Sequence, residues 1–144
     1  MKQIVIIEDN EDHALLIRRG LEASDCRVMH FVDGPEALKV LGEIRQDSFR
    51  PDLILLDLKL PGIDGFQVLE KIRAMDFIAR IPVVMLTTSC RKEEVDRAYQ
   101  LGASGYVVKS EDFSEFMRKL KHIKEYWFGA VESPYQPALA KEKI

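Results

Sequence analysis

The chain has 144 residues, 47% of them hydrophobic and 31% charged, with a formal net charge of −3 at pH 7. That length suits one compact domain with a buried core, and the slightly acidic balance gives no basic surface for nucleic acid. No stretch approaches a membrane span, Met1 leads into an apolar strand without a secretion signal, and Cys26 and Cys90 make neither a metal-ligand spacing nor a disulfide framework, so the cytoplasm is the expected compartment.

Short β-branched runs alternate with helical patterns. Ile4 to Ile7 reads as a first strand whose continuous apolarity suits burial on both faces. From Glu11 to about Ala23 apolar residues recur at helical spacing, with Ile17 and Leu21 facing inward. A short strand follows at Val28 to Val32, then Asp33-Gly34-Pro35 turns the chain into a helix from Pro35 to Arg45. The third strand runs from Asp52 to Asp57, apolar between two carboxylates. Pro61-Gly62 loops to a helix from Gly65 to Met75, for which Asp64 is the natural N-cap. Pro82 opens a fourth strand, Val83 to Thr87; a helix spans Lys92 to Leu101, with Gly102 as its stop. Gly105 to Val108 is the fifth strand and Phe113 to Trp127 the fifth helix, with Phe116, Leu120, Ile123 and Trp127 as its core stripe. Five strand–helix alternations imply right-handed crossovers, a parallel sheet and helices on both faces, with the working site at the carboxyl ends of the strands. The domain is expected over residues 1–128. Residues 129–144, with Pro134 and Pro137, read as a tail that is mobile or docked on a partner.

The strand ends carry chemistry. Strand one ends in Glu8-Asp9, strand three in Asp57, strand four in Thr87-Thr88-Ser89 and strand five in Lys109. Taken singly, each acidic group is most simply a solvated strand end or helix cap, and the lysine a surface lysine. Converging on one edge, three carboxylates repel and call for a hard cation with oxygen ligands, Mg²⁺ before Zn²⁺. A lysine and a threonine hydroxyl beside them suit a phosphoryl group carried on a carboxylate.

The ordered set Glu8-Asp9, Asp57 to Gly65, Leu86 to Ser89 and Gly105 to Lys109 resembles the receiver domain of two-component response regulators, over Lys2 to about Trp127. The resemblance implies a flavodoxin-like, doubly wound α/β fold with five parallel strands in the order 2-1-3-4-5. It makes Asp57 the phosphoacceptor, with Mg²⁺ or Mn²⁺ held by Asp9, Asp57 and the backbone carbonyl of Lys59, and Glu8 acting through water. Lys109 would pair with Asp57 and then with the phosphoryl oxygens. Thr87 and Thr88 complete the phosphate-binding segment; Thr87 would move toward the phosphoryl group and Tyr106 would swing in behind it, reshaping the surface of the fourth and fifth helices and fifth strand. Lys59 and Ser89 hold the positions that tune acyl-phosphate hydrolysis in this family. One position departs from it: the family has proline after the lysine, joined by a cis bond, and here stands Ser110. A cis bond to serine would cost about 3 kcal/mol, so either a strained cis peptide or a trans peptide with a displaced Lys109 is expected, with the site retained.

The resemblance also implies partners. The helix after strand one contains Ala14-Leu15-Leu16-Ile17, and no helix hides four consecutive apolar residues. With Ile17 inward, Leu15 points out and Leu16 lies at the margin, on the helix that docks histidine kinases in this family, where exposed leucines resemble a recognition patch; scattered surface leucines are the competing reading. Tyr99, Tyr126 and Phe128 are surplus aromatics that suit a homodimer or an output interface to a downstream protein. His13, His30 and His122 read as structural or surface residues. The segment Gly42 to Pro51, Thr87-Thr88-Ser89 and Tyr126-Trp127 resemble stand-alone regulators that partner bacterial phytochrome kinases. The expected function is a stand-alone regulator that catalyses only its own phosphorylation and dephosphorylation. Competing readings are a phosphorelay carrier, a phosphorylation-independent adaptor, and an aspartyl-phosphate phosphatase. The last is disfavoured because Lys59 stands where such enzymes place a second aspartate.

Overall fold

The computed structural model describes residues 1–45 and 49–134. The strands are β1 (Lys2–Ile7), β2 (Cys26–Phe31), β3 (Leu53–Leu56), β4 (Val83–Thr87) and β5 (Gly105–Val108), and the helices α1 (Glu11–Leu21), α2 (Gly34–Gly42), α3 (Gly65–Arg73), α4 (Lys92–Gln100) and α5 (Phe113–Glu125). All pairings are parallel and the sheet order is β2-β1-β3-β4-β5.

Strand alternation divides the core into two layers. Val5 and Ile7 of β1, Ile54 and Leu56 of β3, and Val83 and Met85 of β4 point to one face, where Leu41, Phe66, Leu69, Ile72 and Ala98 from α2, α3 and α4 cover them. Their neighbours Ile4, Ile6, Leu53, Leu55, Val84 and Leu86 point to the other, under Ile17 and Leu21 of α1 and Phe116, Leu120 and Ile123 of α5. This is why β1, β3 and β4 read as unbroken apolar runs.

The starts of α1, α2, α3 and α5 are fixed by short polar side chains. Asn10, Asp33, Asp64 and Asp112 each accept from a backbone N–H three residues on, and Asp64 with Gln67 forms a reciprocal capping box. Gly65 is required at the start of α3: a Cβ there would lie 2.3 Å from the Asp57 carbonyl oxygen and 2.7 Å from Leu58 Cα. Gly62 has φ +76°, the left-handed region that glycine enters at no steric cost.

Several expectations shift. Most helix ends come one to three residues early: α1 stops at Leu21, α2 at Gly42 and α3 at Arg73. Strand β2 starts two residues earlier than expected, at Cys26, and ends at Phe31. The fifth helix does not stay α-helical to Trp127. It gives way at Tyr126–Ala130 to a π-helical turn, across which the Val131 N–H donates to the Tyr126 carbonyl at 3.0 Å. Phe128 in that turn is half-buried, with the Lys2 ammonium 5.5 Å from its ring centre. Leu15 is exposed and Leu16 half-buried, as the helical spacing requires; Tyr99 and Tyr126 are exposed. The segment from Gly42 to Pro51 and the tail fall partly outside the described residues. Among the described residues no helix is long and apolar enough to cross a membrane.

Candidate functional site

The site lies where β1, β3 and β4 end. Parallel register places Ile7 beside Leu56 and Leu56 beside Met85, so the residues following β1 and β3 emerge together. The Asp57 N–H donates to the Ile7 carbonyl at 3.1 Å, and the Lys109 N–H to the Thr87 carbonyl at 2.8 Å. The backbone thus pins the strand ends to one another before any side chain is considered.

Four polar groups are buried there: Glu8, Asp57, Thr87 and Lys109. Lys109 Nζ donates to Asp57 Oδ2 at 2.9 Å and to Glu8 Oε1 at 2.5 Å. Such charge-assisted bonds offset the desolvation of three ions that no side chain here exposes beyond 8%. The compensation is incomplete, since two carboxylates share one cation. Burial, and after it the Asp57 charge, push Glu8 up to about 7 against the opposing pull of Lys109. Asp9 adds a third carboxylate at the solvent edge, and ligand atoms of Glu8, Asp9 and Asp57 lie within 4.8 Å of one another. An excess of hard oxygen donors over positive charge is what a divalent metal site requires, and these residues fit one. The Lys109–Ser110 peptide is trans, since the described residues contain no cis bond, and Lys109 nonetheless reaches Asp57.

Around this cluster the loops are cross-linked. The Lys59 N–H donates to Asp57 Oδ1 at 3.2 Å. The Ser89 N–H donates to Thr87 Oγ1 at 3.4 Å, and the Ser89 carbonyl accepts from the Tyr106 hydroxyl at 2.9 Å. Thr88, next in the chain, is exposed. Burial pushes the Tyr106 phenol up, which keeps it a neutral donor.

Two residues at the site were given no part in it by the sequence. Glu94 of α4 accepts from the Ser89 hydroxyl and lies 3.6 Å from Lys59 Nζ, joining the loops after β3 and β4; the Ser89 bond, ahead of Lys59, holds its carboxyl below the usual range. His13, expected to be structural or superficial, brings Nδ1 within 2.9 Å of Lys109 Nζ. Burial, then the Lys109 charge, lower its affinity for a proton. Its signal in the sequence is faint: it stands four residues after Asp9, in the first turn of α1, which begins directly above the strand ends. Leu15, Leu16, Tyr99, Tyr126 and Phe128 are not part of this cluster.

Comparison with known proteins agrees with this geometry. Residues 4–121 match the response regulator receiver domain family. The chain is 38% identical over 135 residues to the probable methanogenesis regulatory protein FilR2 of Methanothrix harundinacea, covering 91% of this chain and 86% of that one. It is 36% identical over 138 residues to response regulator Rcp1 of Synechocystis, covering 92% and 93%. The crystal structure of the phosphorylated cyanobacterial phytochrome response regulator RcpA superposes with a TM-score of 0.86 at 36% identity, covering 92% of this chain and 98% of that one. The Mn²⁺-bound form of Rcp1 does so at 0.84 and 34%, covering 93% and 99%. A sheet in the order β2-β1-β3-β4-β5, a carboxylate cluster with a buried lysine at its carboxyl edge, and a family match over most of the chain have one consequence: the protein belongs to the response regulator receiver domain family.

Proposed function

We propose that this protein is a stand-alone response regulator that takes a phosphoryl group from a histidine kinase onto Asp57, with Mg²⁺ bound at the site. The observation that carries the reading is the buried Asp57–Lys109–Glu8 cluster, in which one cation serves two carboxylates. One Asp57 carboxylate oxygen attacks phosphorus in line with the phosphohistidine nitrogen. The P–O bond forms as the P–N bond breaks, and the imidazole leaves with the bonding electron pair and gains a proton. Asp9, Asp57 and the Lys59 carbonyl would hold the metal, with Glu8 acting through water; a bound ion would neutralise charge on the transferring oxygens. Lys109, already held beside Asp57, supplies positive charge to the same oxygens.

Switching follows from the loop cross-links. Thr87 accepts from the Ser89 N–H, and Tyr106 is tied to the Ser89 carbonyl. A phosphoryl oxygen on Asp57 would attract the Thr87 hydroxyl, with Thr88 carried along in the same segment, and so move the loop to which Tyr106 is bonded. Phosphorylation then biases one of two packings of α4, β5 and α5. Exposed Tyr99 and Tyr126 on that face suit a second copy or a downstream protein, while Leu15 and Leu16 on α1 suit the kinase. Likeness to regulators described as phytochrome-associated supports a phytochrome-type kinase as the phosphodonor, and the cytoplasm as the compartment follows from that pairing. Receiver domain 1–128, followed by a short tail, is the organisation this reading uses.

The test is transfer from purified, autophosphorylated histidine kinases, phytochrome-type kinases among them, to wild type and Asp57→Asn. Rapid label transfer to wild type alone supports the reading. Labelling of Asp57→Asn at the wild-type rate contradicts it.

A further inference from the structure

We infer that His13 is a positioning residue for Lys109, its Nδ1 taking the third ammonium proton and holding the cation over Asp57. The inference rests on the receiver reading above and adds to it a residue outside the carboxylate set.

A lysine ammonium has three donors and no acceptor. The three partners of Lys109 Nζ are Asp57 Oδ2 at 2.9 Å, Glu8 Oε1 at 2.5 Å and His13 Nδ1 at 2.9 Å. Because the ammonium cannot accept, Nδ1 must present its lone pair. The ring is therefore the neutral tautomer with its proton on Nε2. The three partners come from three elements: Glu8 follows β1, Asp57 follows β3, and His13 lies in α1. The His13 N–H is itself fixed, donating to the Asn10 side chain at 3.1 Å, so the capping of α1 sets where the ring begins.

The third bond differs from the other two in what happens during the reaction. Asp57 passes its charge to the phosphoryl oxygens when it is phosphorylated, and Glu8 would act on a bound metal through water. Both carboxylate bonds to Lys109 must therefore weaken or change partner. His13 is neutral, is no metal ligand in this account, and loses nothing when the phosphoryl group arrives. It keeps the ammonium oriented through the exchange, which lowers the reorganisation needed at the transition state. Its side chain is 34% exposed, so it also stands on the side from which water would otherwise compete for Lys109.

Two measurements on the full chain test this. The first is the ¹⁵N resonance pattern of the His13 ring at neutral pH, without phosphodonor: a bare Nδ1 and a protonated Nε2 are expected, and an Nδ1–H tautomer overturns the inference. The second is the labelling rate with acetyl phosphate and Mg²⁺ for wild type, His13→Ala, His13→Asn and Asp57→Asn. Asparagine places Oδ1 the same number of bonds from Cα as Nδ1. His13→Ala should be roughly tenfold slower, the equivalent of one modest hydrogen bond, with His13→Asn restoring most of the rate and Mn²⁺ affinity unchanged in both. Wild-type labelling in His13→Ala, or His13→Asn as slow as His13→Ala, overturns it. If wild type itself takes no label, the receiver reading fails, and the tautomer still decides the contact with Lys109.

Discussion

Replacing Gly65 by alanine tests how rigidly the fold holds Asp57, the proposed phosphoacceptor. The added Cβ would sit 2.3 Å from the Asp57 carbonyl oxygen, 2.7 Å from Leu58 Cα and 3.0 Å from the Asp57 carbonyl carbon. All three atoms are backbone, so no side chain can rotate away; the turn between β3 and α3 must itself move. Overpacking of this kind costs about 1–3 kcal/mol, and contacts to backbone belong at the upper end. Loss of glycine's freedom in the unfolded chain returns about 0.4–1 kcal/mol. A net destabilisation of about 2 kcal/mol is expected, measured by urea unfolding followed through circular dichroism. The shift also displaces Asp57, so labelling by acetyl phosphate should slow even where the variant is fully folded. Gly62→Ala is the matched control. Its Cβ meets nothing within 4 Å, and its φ of +76° predicts a purely conformational cost of roughly 1–2 kcal/mol, with a smaller effect on labelling. A Gly65→Ala protein as stable as wild type and labelled at the same rate would show that the β3–α3 turn accommodates the extra carbon without moving Asp57.

Three further outcomes follow from the site and the core. Lys109→Met leaves Glu8 and Asp57 buried without their cation, and should destabilise the metal-free protein by about 3 kcal/mol; adding Glu8→Gln should recover much of that, as read by urea unfolding. Asp9→Asn should weaken Mn²⁺ binding roughly tenfold or more in calorimetric titration, yet change stability by less than about 0.5 kcal/mol because Asp9 is exposed. Burial pushes the Cys26 thiol up from 9.0, so the native state holds that proton to higher pH and keeps little thiolate. A thiol-disulfide reagent at mildly alkaline pH should then titrate exposed Cys90 alone in the folded protein, and Cys26 only after denaturation.

Much of this architecture is legible in the sequence because its physics is local. Leu53 to Leu56 cannot alternate with polar residues when both faces of β3 are covered, so an unbroken apolar run announces a central parallel strand. Such runs end abruptly in Glu8, Asp57, Thr87 and Lys109, and strand direction alone brings their ends to one edge. What escapes the sequence depends on three-dimensional placement. Whether the His13 ring faces Lys109 or solvent depends on the angle at which Asn10 starts α1. Glu94 acts on Ser89 and Lys59 only because two loops approach each other across the site. Apolar spacing in Phe116, Leu120, Ile123 and Trp127 gives the inward face of α5, but it does not distinguish an α-helical from a π-helical continuation at Tyr126. Ser110 falls between these cases. Its departure from the family pattern is visible in the sequence, while the reach of Lys109 past a trans peptide to both carboxylates is not.

The switch proposed above requires that Asp57 carry the phosphoryl group. Its most direct test is intact mass spectrometry of the full chain after incubation with acetyl phosphate and Mg²⁺, followed by borohydride reduction and peptide mapping. A single phosphoryl adduct is expected, one that does not form when Mg²⁺ is withheld, with the reduced aspartate at position 57. An adduct of equal yield in Asp57→Asn, or one mapping to any other residue, would contradict it.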